Sequence, residues 1–249
     1  MRFAETNGLM DLSDFALPDV PNEVGCLMFF LPVLRALLFL QLSWLLSLNA
    51  SFAQVGKRWD ENPEYNQTHT LSLADNRLVD IEQGISNWGK LKSLDLRRNR
   101  VFKLPRSLGI MLHLTELFLD NNEIQETPKS LARLTKLICL SMNHNDLNAW
   151  PVGVDACTSL TELFMNHNLI EFVPASAASL QSLRQLSVNH NKIADLPPEV
   201  VAWTSLTELR MNENRLERLP ETLGLLENLE HVSFAKNAID GAPSSPCAL

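Results

Sequence analysis

The sequence predicts an α/β solenoid, with a parallel sheet on its concave side and short helical turns on its convex side. Three observations predict it. An eleven-residue pattern, plainest at Leu160–Ile170, puts apolar residues at places 1, 4, 6 and 11 and an asparagine at place 9. It returns eight times at a fixed step of 23 residues, with the ninth-place asparagine at Asn76, Asn99, Asn122, Asn145, Asn168, Asn191, Asn214 and Asn237. The back half of the units follows, with substitutions, the pattern Leu-Pro-x-x-Leu-x-x-Leu, plainest at Leu219–Leu226. Self-similarity at this fixed period means one small unit per repeat, stacked so that neighbours bury what no unit buries alone.

The elements follow in chain order. Residues 1–24 are acidic, with Glu5, Asp11, Asp14, Asp19 and Glu23 against Arg2, and carry no sustained apolar period, so they read as a disordered N-terminus. Residues 25–53 read as a leader or membrane anchor, in which Cys26–Leu48 is almost wholly apolar, broken by Pro32, Arg35 and Gln41. Ala36–Leu48 has the length of a signal-peptide apolar region, and Ser51-Phe52-Ala53 offers small residues where a signal peptidase cuts. The acidic start does not suit a leader, but initiation at Met28 would remove it. The same stretch suits an uncleaved anchor, because roughly 20 apolar residues span a bilayer. Lys57 and Arg58 would then hold the array on the cytoplasmic side. A mis-assigned start is the third alternative. The expectations are therefore membrane association through residues 25–50 at the cytoplasmic face, or entry to the secretory pathway after removal of a leader ending near Ala53. Residues 54–67 read as a cap over the open end of the solenoid. Asn66 begins a glycosylation triplet that matters only in the secretory pathway.

The repeat domain occupies 68–249. Alternation over places 3 to 6, as in Glu162-Leu163-Phe164-Met165, marks a short strand in each repeat. Places 4 and 6 face the core. The ninth-place asparagine has a physical reason: the chain turns sharply out of the strand, and an amide supplies the donors and acceptor that pair the buried turn backbone. The three-residue apolar spacing after each Leu-Pro suits a short helical turn, which tolerates proline at its start. Trp88, Trp150 and Trp203 replace leucines at core places.

The 23-residue unit with Leu-Pro in its second half resembles the leucine-rich repeat family, and within it the intracellular Ras-group class typified by Ras-suppressor. The resemblance covers about residues 68–243. It implies a horseshoe whose concave sheet binds another protein without catalytic residues of its own. The chain departs from that class in its apolar segment and in Ala242, which stands where leucine is usual.

Composition and charge narrow the function classes. The net charge is −8, which argues against nucleic acid as a partner. Four cysteines are too few for a disulfide scaffold. Cys139 and Cys157 fall on opposite sides of the core, too far apart to bridge. No nucleophile with a base, glycine-rich phosphate loop or cysteine–histidine metal spacing runs along the chain. No cofactor, metal or catalysis is expected.

Stacking the repeats assembles columns. Place 8 runs Asp75, Arg98, Asn121, His144, His167, His190, Glu213, Lys236, so three histidines form a column with neighbours about 5 Å apart. A straight column converges poorly on one ion, and duplication with solvent-facing side chains is the plainer alternative. Place 5 points to the concave face and carries Phe118 and Phe164 with Ser141 between them. Glu116 and Glu162 line one side of that saddle, and Asp120, Asn143 and Asn166 line the other. Arg210 sits further along place 5, and Arg97 and Arg98 belong to a basic second repeat that also holds Lys92, Arg100, Lys103 and Arg106. The expectation is a monomeric scaffold or adaptor, of use in signalling, that recognises a partner protein through Phe118, Phe164, Ser141 and these neighbours. The alternative is a membrane-tethered or secreted recognition protein resembling a receptor ectodomain.

Overall fold

The structure is a computed structural model that describes residues 9–11, 69–81, 85 and 88–240. Among these residues nine parallel strands form one sheet in chain order. They are β1 (Leu9–Asp11), β2 (Thr70–Ser72), β3 (Ser93–Asp95), β4 (Glu116–Phe118), β5 (Cys139–Ser141), β6 (Glu162–Phe164), β7 (Gln185–Ser187), β8 (Glu208–Arg210) and β9 (His231–Ser233). The fold is a leucine-rich repeat solenoid, as the period requires.

Register is place for place, so Phe118 pairs with Ser141 and Ser141 with Phe164. Each strand covers places 3 to 5, one residue shorter than the expected 3 to 6. Inter-strand bonding nevertheless continues through place 6, where the Met142 N–H donates to the Phe164 carbonyl at 2.8 Å. The strand ends because every place-8 residue from Asp75 to Lys236 is left-handed, with φ between 53° and 57°. Asn, Asp and His are the side chains that tolerate this region best, which suits Asp75, Asn121, His144, His167 and His190.

The ladder asparagines complete that turn. The Asn168 Nδ2 donates to the carbonyls of Met142 at 2.9 Å, Met165 at 3.1 Å and Asn166 at 3.2 Å, while its Oδ1 accepts the Leu147 N–H at 3.0 Å. Asn191 and Asn214 repeat this arrangement one and two repeats on.

Places 4 and 6 fill the core. Leu117, Leu119, Leu140, Met142, Leu163 and Met165 are completely buried. Full burial of such a side chain stabilises the fold by roughly 1.5–3 kcal/mol. Trp203 is buried and donates from Nε1 to the Ala177 carbonyl at 2.8 Å. Trp150 is buried with its Nε1 on Asp155 Oδ1 at 3.0 Å, and Trp88 packs at the margin of the core.

The convex turns are 3₁₀ segments, among them Arg106–Ile110, Lys129–Arg133 and Ala175–Ser179. The leucine spacing suits this geometry, because residues i and i+3 eclipse on a 3₁₀ helix. Pro105, Pro128, Pro174, Pro197 and Pro220 each precede a turn in extended conformation. Repeat four differs: its turn at Val154–Ala156 begins after Gly153, which has φ 87° and whose absent Cβ would lie 2.8 Å from the Ala132 nitrogen.

At the N-terminal end, β1 pairs with β2 through Leu9↔Thr70, Met10↔Leu71 and Asp11↔Ser72. These three residues belong to the stretch 1–24 read as a disordered N-terminus, the rest of which lies outside the described residues. Three residues are too few to show alternation, and the open edge of β2 supplies the pairing. The leader or anchor at 25–53, the cap at 54–67 with Asn66, and Ala242 lie outside the described residues. No helix among the described residues is long and apolar enough to cross a membrane. At the other end Val232 and Phe234 are only half-buried.

Candidate functional site

The sheet face is built by places 3 and 5, and from repeat three onward its residues alternate with a two-repeat period. At place 5 the odd repeats carry Phe118, Phe164 and Arg210, whereas the even repeats carry Ser141, Ser187 and Ser233. At place 3 the odd repeats carry Glu116, Glu162 and Glu208. Alternate strands lie about 9.6 Å apart, so this face presents large side chains at that spacing with small floors between. Ser141 and Ser187 are buried floors. The Ser141 hydroxyl donates to Asp120 Oδ1 at 2.5 Å and that of Ser187 to Asn166 Oδ1 at 2.7 Å.

The walls have defined surroundings. Phe118 and Phe164 are half-buried. The Arg97 guanidinium sits 5.2 Å from the Phe118 ring centroid, on the β3 side, where Asp95 grips it through Nε at 2.9 Å and a second nitrogen at 2.6 Å. The opposite side of Phe118 faces Ser141. Arg210 is ion-paired with Glu208 of its own strand. Between Glu116 and Glu162 lies Cys139, which is buried although place 3 was expected to face outward. Burial, with the Glu162 carboxylate next, pushes its thiol up to about 12, so it stays protonated and hydrogen-bonded to Glu162.

Place 7 forms a second ladder. The Asn143 N–H and Nδ2 both donate to Asp120 Oδ1, at 2.9 and 2.7 Å. Asn166 does the same to Asn143 Oδ1, at 2.8 and 2.7 Å. The Asn189 N–H then donates to Asn166 Oδ1, and that of Asn212 to Asn189 Oδ1. Asp120, Asn143 and Asn166, expected to line the binding saddle as recognition groups, are thus committed to one another.

Place 8 is a continuous column beside that ladder. The His144 and His167 rings stack at 4.1 Å with 10° between planes, and His167 and His190 at 4.0 Å with 15°. His190 Nδ1 meets Glu213 Oε2 at 2.9 Å, and Lys236 Nζ donates to Glu213 Oε1 at 2.5 Å. At the other end Arg98 donates to Asp75 Oδ1 at 2.9 Å. Burial first, then the His144 and His190 neighbours, lower the His167 pKa, with Glu213 opposing. Places 7 and 8 together line an open polar groove of about 700 Å³. Stacked rings hold their nitrogens in near-parallel planes that do not converge. Among the described residues no group of three or more His, Cys, Asp or Glu is arranged to hold a metal ion.

The structure therefore brings Glu116, Phe118, Ser141, Glu162 and Phe164 together on β4–β6. It places His144, His167 and His190 in the neighbouring groove. Arg97 joins the β4–β6 cluster by standing over Phe118, Arg98 lines the end of the groove, and Arg210 lies two strands beyond Phe164; each is already paired with a carboxylate of its own or the preceding repeat. Sequence reasoning missed Asp95, which holds Arg97 on Phe118, and the two-repeat alternation. The alternation was readable by comparing odd with even repeats.

Comparison with known proteins agrees with this architecture. Residues 158–199 match the family model described as Leucine Rich repeats (2 copies). No curated protein matches in sequence. Among solved structures, a leucine-rich repeat protein of Leptospira interrogans superposes with a TM-score of 0.68 at 23% identity, over 78% of this chain and 60% of that one. Internalin C2 of Listeria monocytogenes gives 0.65 at 22% identity, over 79% and 88%. The leucine-rich repeat ectodomain of the Arabidopsis thaliana receptor kinase GASSHO1/SCHENGEN3, solved in complex with Casparian Strip Integrity Factor 2, gives 0.56 at 21%, over 70% and 25%. The chain thus spans about three fifths of the Leptospira chain and a quarter of the Arabidopsis one.

Proposed function

We propose that this leucine-rich repeat solenoid is a non-enzymatic protein-binding scaffold whose partner seats on the sheet face at repeats three to five. One observation carries the reading: Phe118 and Phe164 stand on an otherwise polar face, two strands apart on a rigid sheet, with a small buried floor between them. Aromatic side chains of this kind anchor protein interfaces, and a preformed surface loses little entropy on binding. The Glu116 and Glu162 carboxylates beside the rings favour a partner with positive charge at the same point.

The test is partner capture from the protein's own cells, quantified by titration. Phe118→Ala with Phe164→Ala is expected to weaken the captured partner well over about tenfold, if each ring contributes roughly 2 kcal/mol. Lys129→Ala, exposed on the convex side, is expected to bind normally. The denaturation midpoint of the double variant checks the fold. Full affinity in a folded double variant would move the partner to another face.

A further inference from the structure

We infer that the segment seated on this face is a cationic polyproline-II stretch running across the strands, with prolines three residues apart on Phe118 and Phe164 and basic side chains over Glu116 and Glu162. The inference rests on the sheet-face reading above and supplies the conformation and chemistry of its partner.

Spacing is the first argument. The rings occupy alternate strands, about 9.6 Å apart. A polyproline-II chain rises about 3.1 Å per residue with three residues per turn, so residues i and i+3 recur on one edge every 9.3 Å or so. An extended β-strand repeats its face every two residues, about 6.7 Å, and falls out of step at once. An α-helix laid the same way returns a side chain to one edge only at i+7, about 10.5 Å on, a poorer match to rings about 9.6 Å apart.

Hydrogen bonding is the second argument. A sheet face has no free backbone edge, and here the place-7 side-chain oxygens already accept bonds within the array. The Ser141 and Ser187 hydroxyls donate within the array, and the place-7 amides bond along their own ladder. A ligand that brings many backbone N–H groups would find few acceptors on this face beyond the Glu116 and Glu162 carboxylates. Proline has no backbone N–H. A chain already extended in solution also loses little entropy on docking.

Charge is the third. Glu116 and Glu162 sit on the same alternate strands as the rings, and no basic residue occupies places 3, 5 or 7 of repeats three to five. Arg97 and Arg210, which flank this zone, are neutralised by Asp95 and Glu208. Successive edges of a polyproline-II helix are about a third of a turn apart. Basic residues next to each proline therefore project along the place-3 side. Arg97 over Phe118 shows within the molecule that this ring accepts a guanidinium.

The experiment uses the full chain and three labelled peptides, read by fluorescence anisotropy at fixed salt. One peptide is four Pro-Arg-Ser units, one has the same residues shuffled so that no prolines are three apart, and one is four Pro-Glu-Ser units. The first is expected to bind at least about tenfold tighter than either other. Phe118→Ala with Phe164→Ala is expected to abolish that preference. Glu116→Gln with Glu162→Gln, which leaves the rings in place, is expected to weaken the Pro-Arg-Ser peptide several-fold. Equal binding of the shuffled peptide, or affinity unchanged by the glutamate pair, overturns the inference. If the peptides fail while captured partner still depends on Phe118 and Phe164, the extended ligand is wrong and the sheet-face reading stands. If partner capture ignores both rings, both readings fall.

Discussion

The side-chain amide of Asn168 donates to the carbonyl of Met142, 2.9 Å away and 26 residues earlier in the chain. The same amide also holds the Leu147 N–H, so one side chain pairs backbone groups of two repeats. Replacing Asn168 by Leu leaves these buried groups unpaired, at a cost of roughly 1–3 kcal/mol. Asn237 makes the equivalent bonds but is half-buried at the end of the described array, where water can substitute. Chemical denaturation is therefore expected to show a larger loss for Asn168→Leu than for Asn237→Leu. Equal losses would mean that the ladder acts locally and not between repeats.

Gly109 sets the approach of two convex turns. A Cβ there would lie 2.3 Å from the Ser130 carbonyl oxygen, and backbone cannot yield as a flexible side chain does. Gly109→Ala is expected to lower stability by about 1–3 kcal/mol through overpacking. Gly89, with nothing within 4 Å of its Cβ position, is the control, and its alanine variant is expected to stay near wild type. A thermal midpoint unchanged in both would show that the turns separate at no cost.

The histidine stack makes stability depend on pH. The folded His167 pKa lies below the ordinary value of 6.5, so the unfolded chain binds the proton more tightly. Its contribution is fully present above 6.5 and is lost as pH falls through the lowered folded value. The side chain is exposed, so the effect is small. His167→Asn, which tolerates the left-handed backbone at φ 55°, is expected to flatten the acid side of the stability profile. In an NMR titration, Glu213→Gln is expected to lower the His167 midpoint further, because it removes the carboxylate that opposes the shift. A rise of that midpoint would contradict the ordering of the column.

Periodicity made the fold legible. A pattern kept in register over eight repeats leaves each strand one possible neighbour on either side, which sets Phe118, Ser141 and Phe164 side by side. The ladder at Asn168 was legible because a side-chain amide combines two N–H donors with a separate carbonyl acceptor, enough to pair several turn groups at once. Place 7 carries asparagine too, yet its ladder was not legible. Whether such a side chain bonds the next repeat or faces a partner depends on the φ and ψ of the turn.

Residue type at a fixed period therefore determined the sheet, its register, the core and the ladder, because each repeat meets only its neighbours and identical units stack one way. Tertiary structure decided the rest. It made place 8 left-handed, turned the histidine column into a face-to-face stack, and put Arg97 on Phe118 under the hold of Asp95. It also brought Leu9–Asp11 to the edge of β2 from outside the repeats. These outcomes depend on where side chains point once the backbone is set, and on an edge whose unpaired groups accept any strand that reaches them.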